Sequence, residues 1–105
     1  MSTYDTIKEL NGIDDLANAI DTTIEDYEEY LYRMHIFNDL LHLSEEDLAR
    51  LNSEEQDSVI AMIKELCDII EIDGDYDNLY ETMEYYEQDA INYIDKATQG
   101  KGVRY

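Results

Sequence analysis

Apolar residues recur at intervals of three and four along most of the chain, and period-two alternation is nearly absent. This pattern predicts helices throughout and gives only weak strand signals. Ile13, Leu16, Ala17 and Ile20 share one helical face, and Ile24, Tyr27, Leu31, Met34 and Leu41 continue the stripe. Val59, Ile60, Met62, Ile63, Leu66, Cys67, Ile69 and Ile70 form the most hydrophobic run and the expected core. Leu79, Met83, Tyr86, Ala90, Tyr93 and Ala97 alternate by four and three along a final helix. The expected fold is an all-α, compact bundle of four or five helices.

Caps and breakers set the expected boundaries. Thr3 opens a short helix over 3–11, closed near Gly12 in the usual C-terminal glycine position. The run over 13–43 is one bent helix or two. We read two, broken near Asp21-Thr22-Thr23, because Thr22 and Glu25 have the spacing of a capping box. Ser44 caps a short helix with Glu45, Glu46 and Asp47 in its first turn, where the helix dipole favours anions. Ser53 with Gln56 forms a second capping box, and Asp73-Gly74-Asp75 ends the helix it opens. A last helix spans about Asp77 to Thr98. The division is a single domain over 1–98 and a flexible tail over 99–105. The chain has 105 residues, no proline and four glycines, none of which interrupts a long periodic run.

Charge changes the picture. The chain has 27 Asp plus Glu against 7 Lys plus Arg, a formal charge of -20. No acid lies beyond Asp95, and residues 1–95 hold four bases, Lys8, Arg33, Arg50 and Lys64. Low hydrophobicity with high net charge is the mark of disorder, but the helical periodicity argues for a folded chain. A nucleic-acid binder needs a basic footprint, and an anionic membrane would repel this chain. No run approaches the roughly 18 apolar residues of a membrane span. Met1-Ser2-Thr3-Tyr4-Asp5 lacks the basic and apolar regions of a signal peptide, and Cys67 is the only cysteine. The expected compartment is the cytoplasm.

The acids are interleaved with apolar positions rather than gathered in a tail. Asp26-Glu28-Glu29, Glu45-Glu46-Asp47, Glu54-Glu55-Asp57, Glu71-Asp73-Asp75-Asp77 and Glu81-Glu84-Glu87 are the dense patches. Residues three or four apart on a helix lie about 5–6 Å apart at their β-carbons, so Glu81, Glu84 and Glu87 read as a row of like charge. Each like-charge pair costs a few tenths of a kcal/mol, and an ordinary soluble helix mixes both signs. A helical scaffold that holds many carboxylates imitates the field of a nucleic acid. Duplex DNA carries one charge per ≈ 1.7 Å, so this net charge equals about 34 Å of duplex. A protein with a basic DNA cleft would be drawn to it. The plain alternative is that acidity serves solubility alone.

There are ten tyrosines and no tryptophan. Tyr27, Tyr86 and Tyr93 fall on apolar stripes and read as core. Tyr30, Tyr32, Tyr76, Tyr80 and Tyr85 are candidates for exposure beside acids, where a tyrosine can pack on an arginine while the carboxylate pairs with it.

Asp75-Tyr76-Asp77-Asn78-Leu79-Tyr80-Glu81, followed by Tyr85-Tyr86-Glu87, resembles the acidic, tyrosine-rich helical segment of the ArdA antirestriction family. Thr6-Ile7-Lys8-Glu9-Leu10-Asn11 is similar to the stretch that precedes it there. The likeness covers about a third of the chain; the family's β-rich N-terminal part and long C-terminal continuation have no counterpart. In composition the chain is also similar to the phage antirestriction protein Ocr and to anti-CRISPR proteins. The resemblance implies a DNA mimic used by phages and mobile elements, acting by occupancy, with no catalytic residue and no cofactor.

Asp73, Asp75, Asp77, Glu81 and Glu84 match positions of an EF-hand loop, whose oxygen ligands suit Ca²⁺, but Asn78 stands where glycine is usual. His35 and His42 are two turns apart and lack further zinc ligands. Cys67 reads as a buried small hydrophobe among acidic neighbours rather than a nucleophile.

The expected function is inhibition of a host defence nuclease, a CRISPR effector or restriction enzyme, by filling its basic DNA cleft. The partner-binding residues are expected to be Asp26, Glu28, Glu29, Glu71, Asp73, Asp75, Tyr76, Asp77, Tyr80, Glu81, Glu84, Tyr85 and Glu87. A homodimer would lengthen the array. The alternatives are an immunity protein that neutralises a basic toxin and a Ca²⁺-binding module.

Overall fold

The computed structural model describes residues 2–26 and 31–98. The chain is all-α. Among the described residues there are six α-helices and one π-helical turn: α1 (Thr3–Lys8), α2 (Ile13–Asp26), α3 (Leu31–Leu41), α4 (Glu45–Ala49), α5 (Ser53–Asp68), the π-turn (Ile69–Asp73) and α6 (Tyr76–Ala97). Principal extents are 32 × 28 × 20 Å. Glu28, Glu29, Tyr27, Tyr30 and the expected tail over 99–105 lie outside the described residues.

Local chemistry sets most of the ends. Ser2, not Thr3, caps α1, its Oγ accepting from the Asp5 amide. The helix stops at Lys8, short of the expected residue 11, and Gly12 instead turns the chain into α2 with φ +88°. Its carbonyl accepts from the Leu16 amide at 2.9 Å. A β-carbon at this position would stand 2.5 Å from Cγ of Glu71, so glycine meets both a left-handed backbone and a close neighbour.

The expected break near Asp21-Thr22-Thr23 does not occur; α2 runs through it to Asp26. Thr22 and Glu25 therefore lie inside a helix and make no capping box at its start. The reason lies partly in Thr23, which is 3% exposed. Its hydroxyl donates back to the Ala19 carbonyl at 2.8 Å and meets the Tyr80 hydroxyl at 2.9 Å. A threonine that bonds four residues back continues a helix, although it can bend it.

Ser44 caps α4 as expected. The box that opens α5 is one residue earlier than expected. Asn52 accepts from the Glu55 amide at 2.8 Å, and the Glu55 carboxylate accepts from the Asn52 amide at 3.0 Å. Gln56 is used elsewhere: its amide donates to the Leu51 carbonyl at 2.7 Å and its oxygen accepts from Thr3, tying α5 to α1.

The core is one cluster to which every helix contributes. Leu16, Ala19 and Ile20 of α2 are buried where α2 packs on α3, and Met34, Ile36, Phe37, Leu40 and Leu41 of α3 share the core with Leu79, Met83, Ala90, Ile94 and Ala97 of α6. Val59, Met62, Ile63, Leu66 and Cys67 complete it from α5. Cys67 is fully buried, and desolvation, then the charges of Asp68 and Glu71, push its thiol up to about 11.

Candidate partner-binding surface

The π-turn and the start of α6 form one continuous polar ledge. After Asp68, the chain widens into the π-turn, which the Gly74 amide closes by donating to the Ile69 carbonyl at 2.9 Å. Gly74 is left-handed, with φ +59°. Ile69 is buried here, while Ile72 is 78% exposed. Single π-turns are uncommon and recur at functional sites. Asp75 then caps α6, its Oδ1 accepting from the amides of Asp77 at 3.0 Å and Asn78 at 3.2 Å. The stretch that would wrap an ion in an EF-hand loop is thus, from Tyr76 onward, regular helix. Asp75 spends its carboxylate on the helix end, and Asp77, Glu81 and Glu84 point outward from one face.

On α6, Asp77, Glu81 and Glu84 follow at steps of four and three, and all three are exposed. The expected row does not extend to Glu87. At about 100° per residue, each three-residue step turns back by about 60°, and by Glu87 the row reaches the flank that packs on α3. Glu87 is half-buried there and accepts from Arg33 Nε at 3.1 Å.

The other described ion pairs are Arg50 with Asp47 and Glu46, Lys64 with Asp68, and Lys96 with Glu55. Arg50 also donates to the Ala97 carbonyl at the end of α6. The Lys96 ammonium, then the Asn52 amide, hold the Glu55 carboxyl below its usual range. Lys8 reaches the Leu41 carbonyl and lies 5.3 Å from the Tyr4 ring centre. None of these bases meets Glu71, Asp73, Asp75, Asp77, Glu81 or Glu84. No Lys or Arg occurs between Lys64 and Lys96. Exposed carboxylates occur on α1, α2, α4, α5 and α6, so the negative field is not confined to one face. Residues 71–84 hold six exposed carboxylates that meet no described base, and Asp14, Asp15 and Asp21 on α2 and Glu54 and Asp57 on α5 are likewise in no described ion pair.

The tyrosines divide. Tyr76 is 52% exposed and Tyr85 78%. Tyr32, on α3, is also exposed. Tyr80, expected to be exposed, is half-buried because its hydroxyl reaches Thr23; its ring centre lies 6.2 Å from that of Tyr76. Tyr86 and Tyr93, expected as core, are half-buried. Tyr86 donates its hydroxyl to Glu65 of α5, and that bond, with some desolvation, pushes the phenol up to about 12. The Tyr85 ring meets it edge-on, 5.0 Å centre to centre at 83°. Together Glu65, Asn78, Glu81, Thr82, Tyr85 and Tyr86 line an open groove of about 520 Å³.

Asp26 ends α2, away in sequence from the ledge. Glu71 turns instead toward Asp15 and Gly12. Two participants had no assigned role in the sequence pattern, Glu65 and Asp15. Each lies on an ordinary polar helix face, and only the packing of α5 on α6, and of the π-turn on α2, brings it to its partner.

The hydrogen bond that the protonated Glu71 carboxyl donates to Asp15, then desolvation and the Asp15 charge, hold the Glu71 carboxyl above its usual 4.5. A raised carboxyl means that the fold binds the proton more tightly than the unfolded chain does. The stabilisation is complete below about pH 4.5 and is lost as pH rises through the raised value. Glu71→Gln keeps a donor without the charge. It is expected to raise the Tm at neutral pH and to leave it nearly unchanged at about pH 4; thermal melts at both pH values check this.

No family model, no curated protein and no solved structure matches the chain. Among the described residues, no helix is long and apolar enough to cross a membrane.

Proposed function

We propose that the chain is an acidic DNA mimic that inhibits a host defence nuclease, a restriction enzyme or CRISPR effector, by occupying its basic DNA-binding cleft. The observation that carries this reading is the unrelieved run of six exposed carboxylates from Glu71 to Glu84, fixed by the π-turn, the Asp75 cap and the first turns of α6. Self-repulsion of this kind weakens a fold, and it is retained where a basic partner gains from it. The 32 Å length of the molecule is close to the roughly 34 Å of duplex that carries the same charge. Binding would be by occupancy, with the protein acting in the cytoplasm of a bacterial host.

The exposed Ile72 and Tyr85 favour a second reading, an immunity protein gripping a basic toxin through a compact hot spot. One experiment separates the two. The immobilised protein is used to capture partners from a bacterial lysate, with elution in rising salt and by duplex or single-stranded DNA, followed by mass spectrometry. The mimic is expected to retain a DNA-binding enzyme that both salt and DNA release. Capture that neither releases overturns it, and a toxin so captured would establish the second reading.

A further inference from the structure

Resting on that reading, we infer that the groove between α5 and α6 is a receptor for a single arginine side chain of the basic partner. Four features converge. The walls carry two carboxylates from different helices, Glu65 and Glu81, and no basic residue. The nearest bases in sequence are committed elsewhere, Lys64 to Asp68 at 2.9 Å and Lys96 to Glu55 at 2.8 Å. The Tyr86 hydroxyl donates to Glu65 and so orients that carboxylate; a carboxylate has about four acceptor sites, so capacity remains for a ligand. Tyr85, held edge-on against Tyr86, leaves most of its ring open at 78% exposure, one helical turn from Glu81.

This set of groups discriminates among occupants. Phosphate or another anion is repelled by both glutamates. An apolar side chain would bury the carboxylates without partners, which is unfavourable. A lysine ammonium satisfies the charge but is compact and strongly hydrated. A guanidinium is planar, stacks on an aromatic face and offers five donors in a fork, so it can lie on Tyr85 while donating to Glu65 and Glu81. Asn78 and Thr82 add neutral acceptors on the same strip of α6.

The test titrates the protein with end-blocked Gly-Arg-Gly and Gly-Lys-Gly tripeptides at low salt, followed by amide chemical shifts. The arginine peptide is expected to shift Glu65, Asn78, Glu81, Thr82, Tyr85 and Tyr86 and to bind about two- to fivefold more tightly than the lysine peptide, the size of an exposed cation–π contact. Tyr85→Leu keeps the charge and the apolar bulk; it should erase the preference, and Tyr85→Phe should keep it. Equal binding of the two peptides, shifts spread over all acidic surfaces, or a preference that survives in Tyr85→Leu overturns the receptor. That failure is separable from failure of the mimic reading. A groove indifferent to arginine in a protein that still captures a DNA-binding enzyme sinks only the receptor. An arginine-selective groove in a protein that captures no such enzyme sinks only the mimic.

Discussion

Asp73→Asn, Asp77→Asn, Glu81→Gln and Glu84→Gln combined are expected to weaken binding to the basic partner well beyond any one of them alone and leave the helical fold intact. All four side chains are exposed, and none is in an ion pair with a described base. Exposed charge pairs are worth about 0.2–1 kcal/mol each. A single substitution should therefore weaken binding less than about fivefold. Four together should remove roughly 0.8–4 kcal/mol, about 4- to 700-fold, at about 1.4 kcal/mol per tenfold. The slope of log K against log salt should fall by three to four, if each carboxylate behaves as a phosphate with a slope near 0.9. Circular dichroism should show unchanged helicity, because the lost repulsion between Asp77, Glu81 and Glu84 offsets the lost favour of an acid in the first turn of α6. Partner affinity at several salt concentrations decides the matter. A variant that binds as tightly as the parent, with the same salt slope, removes this ledge from the interface.

Phe37→Ala is expected to cost about 3–5 kcal/mol of folding stability, the usual range for deleting a buried aromatic ring. Phe37 is 1% exposed and is the largest of the fully buried side chains. It stands on α3, which packs against both α2 and α6, so the cavity it would leave opens between three helices that carry most of the core. Domains of this kind have about 5–15 kcal/mol in total, and self-repulsion among the acids reduces this chain's share. Urea unfolding followed by circular dichroism should show a lower midpoint with an unchanged slope. Added salt should stabilise parent and variant alike by screening the acids. A midpoint shift worth less than about 1 kcal/mol would mean that the neighbouring side chains collapse into the space.

The helical class and the core were legible in the residue pattern because a 3.6-residue period leaves a one-dimensional trace. Val59, Met62, Ile63, Leu66 and Cys67 recur at core spacing and are buried, and Ser44 stands before an acidic first turn and caps it. Boundaries were less legible. Thr22 with Glu25 and Ser53 with Gln56 have the spacing of caps, yet Asn52 and Glu55 make the box, and Thr23 bonds backward within α2. Several neighbouring residues carry suitable oxygens, and the choice among them depends on where the next helix must dock.

The sequence by itself determined that this protein is an all-α chain with far more acid than base, dense in carboxylates from Glu71 to Glu87. Tertiary structure alone decided which carboxylates stay unrelieved. It turned Glu87 to Arg33 and Glu55 to Lys96, set Glu71 against a second acid, Asp15, and placed Glu65 beside Tyr86. Periodicity reports a residue's angle about its own helix. Which neighbour it meets across the bundle depends on how helices distant in the chain cross, and nothing local encodes that.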